Sequence, residues 1–313
     1  MNCGILRALI WESKRGSDDQ DAGWLALPAG VGVGTVGASW AAFFASQGLP
    51  VSVYDRTPAA LEKGLADARA ALARLEAAGL LAEDADHAAT RLRAADSLEA
   101  AVAEADFVQE TVYEDYGLKA EVWRSIERHA PPEAVIASST SGLLISQLAE
   151  ALKRPERALV AHPFNPPHLI NLVELVPGPC TDTGVLESVK QFYKMLGKAP
   201  VVLLKEVGGH IANRLQAAVW REAISLVHRG VATVEDVDTA LHEGPGVRWA
   251  LLGQHAIFDL GGGEAAYRGL FEGIGKSCFE QLVWPSMDTW SAVPDEGKEA
   301  CIAGIEQWYR QAG

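Results

Sequence analysis

The sequence predicts an α/β fold with a doubly wound, mostly parallel sheet, followed by an all-helical C-terminal domain. Short apolar strands alternate with helical patterns from Gly30 to about Lys205, as they do in parallel sheets covered on both faces. A glycine-rich turn follows the first of these strands. Beyond Glu206 the strand pattern ends, and only helical spacing continues.

The bulk composition narrows the class of protein. A chain of 313 residues suits two domains, and 49% hydrophobic with 22% charged residues is typical of a globular protein. A net charge of −14 argues against a nucleic-acid partner. No apolar run reaches the length that crosses a bilayer, and the N-terminus lacks the apolar core of a signal peptide, so we expect a cytoplasmic protein without a membrane partner.

The cysteines show no pairing pattern. Cys3, Cys180, Cys278 and Cys301 are widely scattered and form no C-x-x-C pair. They are expected to be free thiols, with neither a disulfide framework nor a metal site.

A dinucleotide-binding motif opens the α/β part. Gly32-Val-Gly34-Thr35-Val36-Gly37 fits G-x-G-x-x-G, leads into a helix over Val36–Phe44, and is followed by the strand Val51–Asp55. The glycines permit a tight turn and a close approach to a pyrophosphate at the helix N-terminus. Asp55 would accept hydrogen bonds from a ribose 2′-hydroxyl and repel a 2′-phosphate, which favours NAD over NADP, although Arg56 weakens that preference. We predict a Rossmann-type NAD-binding domain over residues 30–205.

The segment before the glycines does not fit this pattern. The first strand of such a sheet is normally an unbroken apolar run, but Trp24–Val31 contains Pro28, which cannot donate to a sheet ladder. The preceding residues are irregular and polar. We therefore expect residues 1–29 to be an irregular extension, with a compromised first strand and weakened cofactor binding.

The remaining elements follow in order. Helices are predicted over Pro58–Ala78, Glu114–His129 and Leu186–Leu196, and strands over Asp106–Glu110, Ala134–Ser138, Ala158–Ala161, Leu172–Val176 and Pro200–Leu204. In the C-terminal domain, residues 206–313, helical spacing covers Ile211–His228, a capping box at Thr233 opens the next helix, and a last helix lies near Glu299–Gln311.

A histidine, an amide and a carboxylate lie on the two strands around residue 165. His162-Pro-Phe-Asn165-Pro-Pro follows one strand, and Glu174 lies on the next. The prolines lack backbone donors and make the connection a rigid bend. A histidine oriented by a carboxylate moves protons near neutral pH, although a histidine at a strand end is more often structural.

Several long motifs in the same order resemble the 3-hydroxyacyl-CoA dehydrogenase family, and most closely its branch of L-gulonate 3-dehydrogenase (lambda-crystallin) and carnitine 3-dehydrogenase. The resemblance covers Gly30 to about Pro285, and it implies that the helical C-terminal domain holds substrate and forms a homodimer. It rests on G-V-G-T-V-G-A-S-W, S-S-T-S-G-L-L, A-H-P-F-N-P-P-H-L-I-N-L-V-E-L-V-P-G, H-I-A-N-R-L, W-R-E-A-I-S-L-V-H-R-G-V-A-T and G-P-G-V-R-W-A-L-L-G.

The resemblance implies roles for individual residues. His162 is the general base that takes the hydroxyl proton during oxidation, and Glu174 pairs with it. Ser141, Asn165 and Asn213 match positions that hold the substrate oxygen or the nicotinamide. Glu114 and Lys119 match positions beside the ribose and nicotinamide of the cofactor. Ser141 and Asn213 also have a structural interpretation: Ser141 could cap the helix that begins near Ile145, and Asn213 could cap or line the Ile211 helix.

The sequence does not decide between several alternative substrates. Where the CoA-using branch has a second aromatic residue and a proline, this chain has Pro163 and Arg248. Arg248 could pair with a free carboxylate, which favours a small, gulonate-like 3-hydroxy acid, or it could be an ordinary surface residue. Carnitine, whose ammonium could face Trp249, and a 3-hydroxyacyl-CoA remain alternatives, as does an inactive crystallin-like protein.

Overall fold

The computed structural model describes residues 27–262, 266–273 and 275–312. The chain divides into two compact units, one ending at Asn213 and the other beginning at Arg214. In the first unit, eight described strands form one sheet in the order β3-β2-β1-β4-β5-β6-β7-β8. Their bounds are β1 Pro28–Val31, β2 Val51–Tyr54, β3 Leu92–Ala94, β4 Phe107–Glu110, β5 Val135–Ser138, β6 Ala158–Pro163, β7 Leu172–Pro177 and β8 Ala199–Val202.

Helices cover both faces of this sheet, as the apolar strand residues require. Those of the first unit are α1 Thr35–Ser46, α2 Pro58–Ala77, α3 Ala85–Ala89, α4 Leu98–Val102, α5 Tyr116–His129, α6 Ile145–Ala149 and α7 Thr183–Met195. Helices α1, α2, α3 and α7 enclose one core, which includes Trp40, Phe44 and Tyr193. Helices α4, α5 and α6 enclose the other, around Trp123 and Ile126. Burying one such apolar side chain contributes roughly 1.5–3 kcal/mol.

The expectation of a compromised first strand is wrong for the part of it that the structure describes. Strand β1 pairs in parallel with β2 on one side and with β4 on the other. Pro28 is its first residue, the position in a strand where a missing backbone donor is tolerated. Ala29 and Val31 are buried in the sheet. Residues 1–26, and with them the rest of the predicted extension and Cys3, lie outside the described residues.

The sheet is parallel except at one place. Strands β6 and β7 run antiparallel, in a register that sets His162 opposite Glu174. All other neighbouring pairs are parallel. An antiparallel pair can be joined by a short connection, whereas parallel strands need a crossover. The proline-rich connection predicted between these strands is therefore what brings the histidine and the carboxylate together.

The secondary structure of the described residues of the second unit consists of helices joined by turns and loops, as predicted for this part of the chain. Helix α8, Ala212–His228, crosses into this unit. The helices that follow are α9 Val234–Leu241, α10 Val247–Leu251, α11 Gln254–Gly261, α12 Ala266–Glu272 and α13 Asp295–Ala312. Thr233 caps α9, since its hydroxyl accepts a hydrogen bond from the backbone N–H of Asp236. Gly244 and Pro245 lie in a π-helical segment, His242–Gly246, between α9 and α10.

Across the described ranges, the structure contains no helix that is both long enough and apolar enough to span a membrane. The three described cysteines, Cys180, Cys278 and Cys301, are all free thiols.

Candidate active site

The centre of the candidate site is a buried histidine–carboxylate pair. His162 Nδ1 lies 2.9 Å from Glu174 Oε2, and both residues are almost fully enclosed, with exposures of 5% and 1%. The other carboxylate oxygen, Oε1, accepts hydrogen bonds from the backbone N–H groups of Ile211 and Ala212, at 2.8 and 2.9 Å. Glu174 is thus held by the β6–β7 register on one side and by the first residues of α8 on the other.

These contacts fix the charge state of Glu174. Burial alone would raise its pKa, but the hydrogen bonds from His162, Ala212 and Ile211 outweigh burial and lower the pKa below its ordinary value. An ionised Glu174 accepts a hydrogen bond from His162 when the proton of the ring is on Nδ1. In the neutral ring this leaves the lone pair on Nε2, which is the atom a general base uses.

A second carboxylate organises the loop after β5. Glu114 Oε1 accepts hydrogen bonds from the Thr140 hydroxyl and from the backbone N–H groups of Ser141 and Gly142. The side chain of Ser141 is left exposed. Asn213 Nδ2 donates to the carbonyl oxygen of Ser141 at 3.4 Å. Ser141 does not cap α6, whose N-cap is Leu144 without a side-chain hydrogen bond, so the structural interpretation of Ser141 as a cap is wrong.

Beneath this loop lies a buried ion pair. Lys119 Nζ lies 2.8 Å from Glu110 Oε1, and the two residues are 1% and 0% exposed. Lys119 also donates to the carbonyl oxygen of Val112 and lies 3.6 Å from Glu114 Oε2. Glu110 Oε2 accepts further hydrogen bonds from the Trp123 indole and the Ser138 hydroxyl. Every buried charge here therefore has a partner, which burial of charge requires.

His210 is a second buried histidine beside the pair. Its ring centroid lies 5.0 Å from that of His162, and its Nε2 lies 2.9 Å from the carbonyl oxygen of Thr140. Its φ of +50° is in the left-handed region, which is costly for a residue with a Cβ atom. Burial lowers its pKa, an effect that the Thr140 contact partly opposes. His210 links the loop after β5 to the residues that bind Glu174.

The glycine loop fits the cofactor that its motif predicts. Gly32 has a φ of +90°, and a Cβ atom on Gly37 would lie 2.1 Å from the carbonyl oxygen of Gly32, so neither position admits a side chain. By contrast, a Cβ atom on Gly34 would meet nothing within 4 Å. Helix α1 begins there with neither a side-chain cap nor an acidic residue in its first turn. Open space in front of uncapped N–H groups is what a pyrophosphate needs.

Asp55 lies at the end of β2, beside this loop. Its Oδ2 accepts a hydrogen bond from the backbone N–H of Val33 at 3.0 Å, and its Oδ1 accepts one from Thr57 at 3.3 Å. The carboxylate remains partly exposed, as a ribose ligand must be, and Arg56 next to it is exposed. The glycine motif and the acid, separated in sequence, are therefore in contact through Val33.

The structure brings most of the predicted residues into one unit. His162 and Glu174 are in direct contact, and so are Glu114 with Ser141 and Ser141 with Asn213. Asn165 is exposed on the connection that follows β6. Arg248 belongs to the second unit, where it lies on α10 with an exposed side chain.

Sequence reasoning missed several residues of the site. Glu110 pairs with Lys119, the Thr140 hydroxyl donates to Glu114, and the ring of His210 packs beside that of His162. Each falls within or directly after a motif or strand that the sequence analysis had already identified. Only their partners in space distinguish them from core residues.

Comparison with known proteins identifies the class. The family model described as 3-hydroxyacyl-CoA dehydrogenase, NAD binding domain, matches residues 29–207, and that of the 3-hydroxyacyl-CoA dehydrogenase C-terminal domain matches residues 209–300. The chain belongs to the 3-hydroxyacyl-CoA dehydrogenase family. It is accordingly an NAD-dependent oxidoreductase that acts on a CH–OH group, and the inactive, crystallin-like alternative is set aside.

Individual relatives are more specific. The chain is 40% identical over 281 residues to an L-carnitine dehydrogenase of Streptomyces coelicolor, covering 88% of this chain and 85% of the relative. It is 43% identical over 257 residues to an L-carnitine dehydrogenase of Bacillus cereus, covering 82% and 77%. These matches agree with the carnitine dehydrogenase branch that the motifs indicated.

Two solved structures share the fold. One is 5-formyl-3-hydroxy-2-methylpyridine 4-carboxylic acid 5-dehydrogenase, an NAD+-dependent dismutase, with a TM-score of 0.77, 32% identity and coverage of 87% of this chain and 84% of that one. The other is an (S)-3-hydroxybutyryl-CoA dehydrogenase from Ralstonia eutropha, with a TM-score of 0.65, 31% identity and coverage of 75% and 81%.

Proposed function

We propose that the protein oxidises the 3-hydroxyl group of a small, free 3-hydroxy acid to the 3-keto acid, with L-carnitine as the first candidate substrate. The observation that carries this proposal is the buried His162–Glu174 pair, whose carboxylate is anchored by the backbone donors of Ile211 and Ala212, at the start of α8. This geometry supports the assignment of His162 as a base that carries its proton on Nδ1. The named relatives supply the substrate class.

In the proposed reaction, His162 Nε2 takes the proton of the substrate hydroxyl. Bound NAD supplies the hydride acceptor. Glu174 keeps its charge throughout and stabilises the imidazolium that forms, since its pKa is held low by its three hydrogen bonds. Proton transfer by a positioned base contributes typically about 10²–10⁴-fold in rate.

Neutral donors around the base would hold the reacting oxygen. We assign this to the side chains of Ser141, Asn165 and Asn213, because hydroxyl and amide groups stabilise a developing carbonyl without titrating. Within this set Glu114 would preorganise Ser141, since its carboxylate accepts a hydrogen bond from the backbone N–H of Ser141.

The cofactor would be held by the glycine loop, with Gly32, Gly34, Thr35, Val36 and Gly37 around its pyrophosphate and Asp55 on its ribose. We further assign the exposed carboxylate of Glu114 to the cofactor's second ribose. Lys119 is buried and bound to Glu110, so it would support Glu114 from beneath rather than contact the cofactor through solvent.

Three substrates remain in competition. The gulonate-like acid favoured by the sequence and L-carnitine both carry a free carboxylate, which Arg248 would bind, and carnitine alone adds a quaternary ammonium for which Trp249 is a fitting surface. The L-carnitine dehydrogenases among the relatives, at about 40% identity, favour carnitine over gulonate. Because the fold is similar to that of a 3-hydroxybutyryl-CoA dehydrogenase, a CoA thioester is the third candidate substrate.

A substrate panel tests the proposal. Initial rates of NAD reduction are measured with L-carnitine, L-gulonate and (S)-3-hydroxybutyryl-CoA, each over a range of concentrations. We expect the highest kcat/KM for L-carnitine. A preference for the CoA thioester would contradict the proposed substrate class, and a preference for gulonate would contradict carnitine alone.

We also propose that the protein forms a homodimer through its helical unit. Large apolar side chains are exposed there, at Trp220, Leu251, Leu260 and Leu282 among others, with 67%, 80%, 71% and 68% of their surface accessible. Exposed apolar surface of this extent is typical of an association site. Light scattering on the eluting protein should give twice the chain mass of 33.4 kDa. A monomer at micromolar concentration would contradict the dimer.

A further inference from the structure

The 164–171 loop, which joins β6 to β7 and carries Asn165, is stiffened locally by its prolines but has few internal hydrogen bonds to fix its position. Pro166 and Pro167 have no backbone N–H group. Within the loop, Leu169 and Ile170 both donate to the single carbonyl oxygen of Pro166. No donor within the loop is left for the carbonyl oxygen of the buried Pro167, and a buried acceptor without a partner is destabilising.

Lys198 supplies the missing donor. It directly precedes β8 and is 6% exposed, and its Nζ donates to the carbonyl oxygen of Ile170 at 2.9 Å and to that of Pro167. No carboxylate lies within ion-pair distance of this ammonium among the described residues. Instead, Nζ lies 4.0 Å from the ring centroid of Phe43 and 5.5 Å from that of Trp40, both on α1.

Burying a cation without a counter-ion destabilises the folded state. Burial lowers the pKa of Lys198 to about 8, so the charged form is disfavoured there. The charge is also faced by His168, whose own pKa is lowered by burial, by Arg74 and by Lys198. Contacts with the two aromatic faces offset part of this cost. A buried ammonium that is retained in spite of this destabilisation indicates that the loop has to keep a particular geometry.

A second anchor fastens the same loop to α1. Ser39 Oγ accepts a hydrogen bond from the backbone N–H of His168 at 3.0 Å and lies 2.7 Å from His168 Nδ1. Ser39 lies on the helix that opens with the glycine loop. The two anchors hold residues 167–170, and Asn165 lies between them and the end of β6, three positions after His162.

We propose that Lys198 is a positioning residue, which fixes the 164–171 loop so that the amide of Asn165 meets the substrate oxygen opposite His162. This inference rests on the proposed function of the site. The ammonium group does not touch substrate or cofactor. It acts through the two loop carbonyls that it binds.

Lys198→Met tests this, because methionine keeps the apolar stem and removes all three donors. Lys198→Gln is the second variant, in case the first does not fold. The matched control is Lys190→Met on α7, whose ammonium makes a surface ion pair with Glu187 at 3.0 Å. The hydrogen-exchange rates of the Leu169 and Ile170 amides measure how firmly the loop is held. The Kd from titration with NADH shows whether the cofactor site is intact.

We expect the Lys198 variants to exchange the loop amides at least about tenfold faster, and to bind NADH with unchanged Kd. Their kcat/KM should fall about tenfold or more, and adding Asn165→Ala should lower it no further, because both changes remove the same interaction. Losses that multiply in the double variant, or loop exchange equal to that of Lys190→Met, would overturn the proposal.

These measurements separate the proposal from the function on which it rests. If the wild type turns over none of the three panel substrates, the proposed function fails by itself. Hydrogen exchange of the loop amides in the Lys198 variants still tests the positioning role of Lys198 in that case. Unchanged exchange overturns that role, and faster exchange confined to residues 168–171 supports it.

Discussion

At the scale of single residues, the function of His162 depends on what surrounds Glu174. The carboxylate accepts hydrogen bonds from a side chain and from two backbone groups, and these keep it ionised in a buried place. Neither backbone donor is recognisable in the sequence, since any residue would supply it. The sequence therefore predicted the pair but not the anchor that fixes its charge.

Glu174→Gln should lower the free energy of unfolding at pH 7 by about 2 kcal/mol, since it weakens hydrogen bonds to a buried charge. The folded pKa of Glu174 lies below its unfolded value of 4.5. Its contribution is thus fully present above about pH 4.5 and is lost as the pH falls through the folded pKa. Urea unfolding of both proteins from pH 3 to pH 7 measures the difference.

The same measurement on Glu187→Gln provides the matched comparison, because Glu187 lies on the exposed side of α7. It should change stability by less than about 0.5 kcal/mol. A Glu174→Gln difference that stayed constant down to pH 3 would contradict the lowered pKa.

At the scale of elements, the sequence predicted those with strong periodicity. Helices α1, α2, α5 and α8 and the strands that carry the site lie within a few residues of their predicted bounds. The short elements β3, α3 and α4 were not predicted, because three to five residues hold too little periodicity to recognise. The prediction for β1 was wrong for another reason. It considered that Pro28 lacks a backbone donor, but not that Pro28 is the first residue of the strand, where a missing donor is tolerated.

Asp55 belongs to the glycine-loop element, since its carboxylate holds Val33. Asp55→Asn keeps an oxygen acceptor but loses the charge, and should raise the Kd for NADH about tenfold or more, as expected for a charge-assisted bond of roughly 1.5–3 kcal/mol. It should also relax discrimination against NADPH. Fluorescence titration of the nine tryptophans with each cofactor measures both effects.

Asp67→Asn is the control for that change, since Asp67 pairs with Lys63 on the exposed side of α2. It should leave both cofactor affinities unchanged. Equal affinities for the wild type and Asp55→Asn would remove Asp55 from the ribose site.

At the scale of the whole molecule, the residues proposed for different parts of the function belong to different units. The proposed base, its carboxylate and the proposed cofactor residues all belong to the first unit, where sequence motifs drew attention to them. Arg248 belongs to the second unit, where one exposed side chain on a five-residue helix carries little information in sequence alone. Its role depends on the substrate, which motifs shared by a whole family do not specify.

Arg248→Leu should lower kcat/KM for L-carnitine by on the order of 10²-fold, because the substrate carboxylate loses a bidentate partner. The same change should barely affect a CoA thioester, which has no carboxylate at that end. Arg93→Leu serves as the comparison, since Arg93 lies on β3, at the opposite edge of the sheet from β6 and β7. Equal losses on both substrates, or on neither, would remove Arg248 from the substrate site.

The central claim is that His162 is the base of the reaction and takes no part in holding the cofactor. Steady-state kinetics of His162→Ala, with NADH affinity measured on the same preparation, tests it most directly. We predict that kcat falls about 10²–10⁴-fold, roughly 3–5 kcal/mol in the barrier, while the Kd for NADH is unchanged. A variant that keeps more than about a tenth of the wild-type kcat would contradict the assignment, because a base that contributes less than tenfold is not the one the reaction uses.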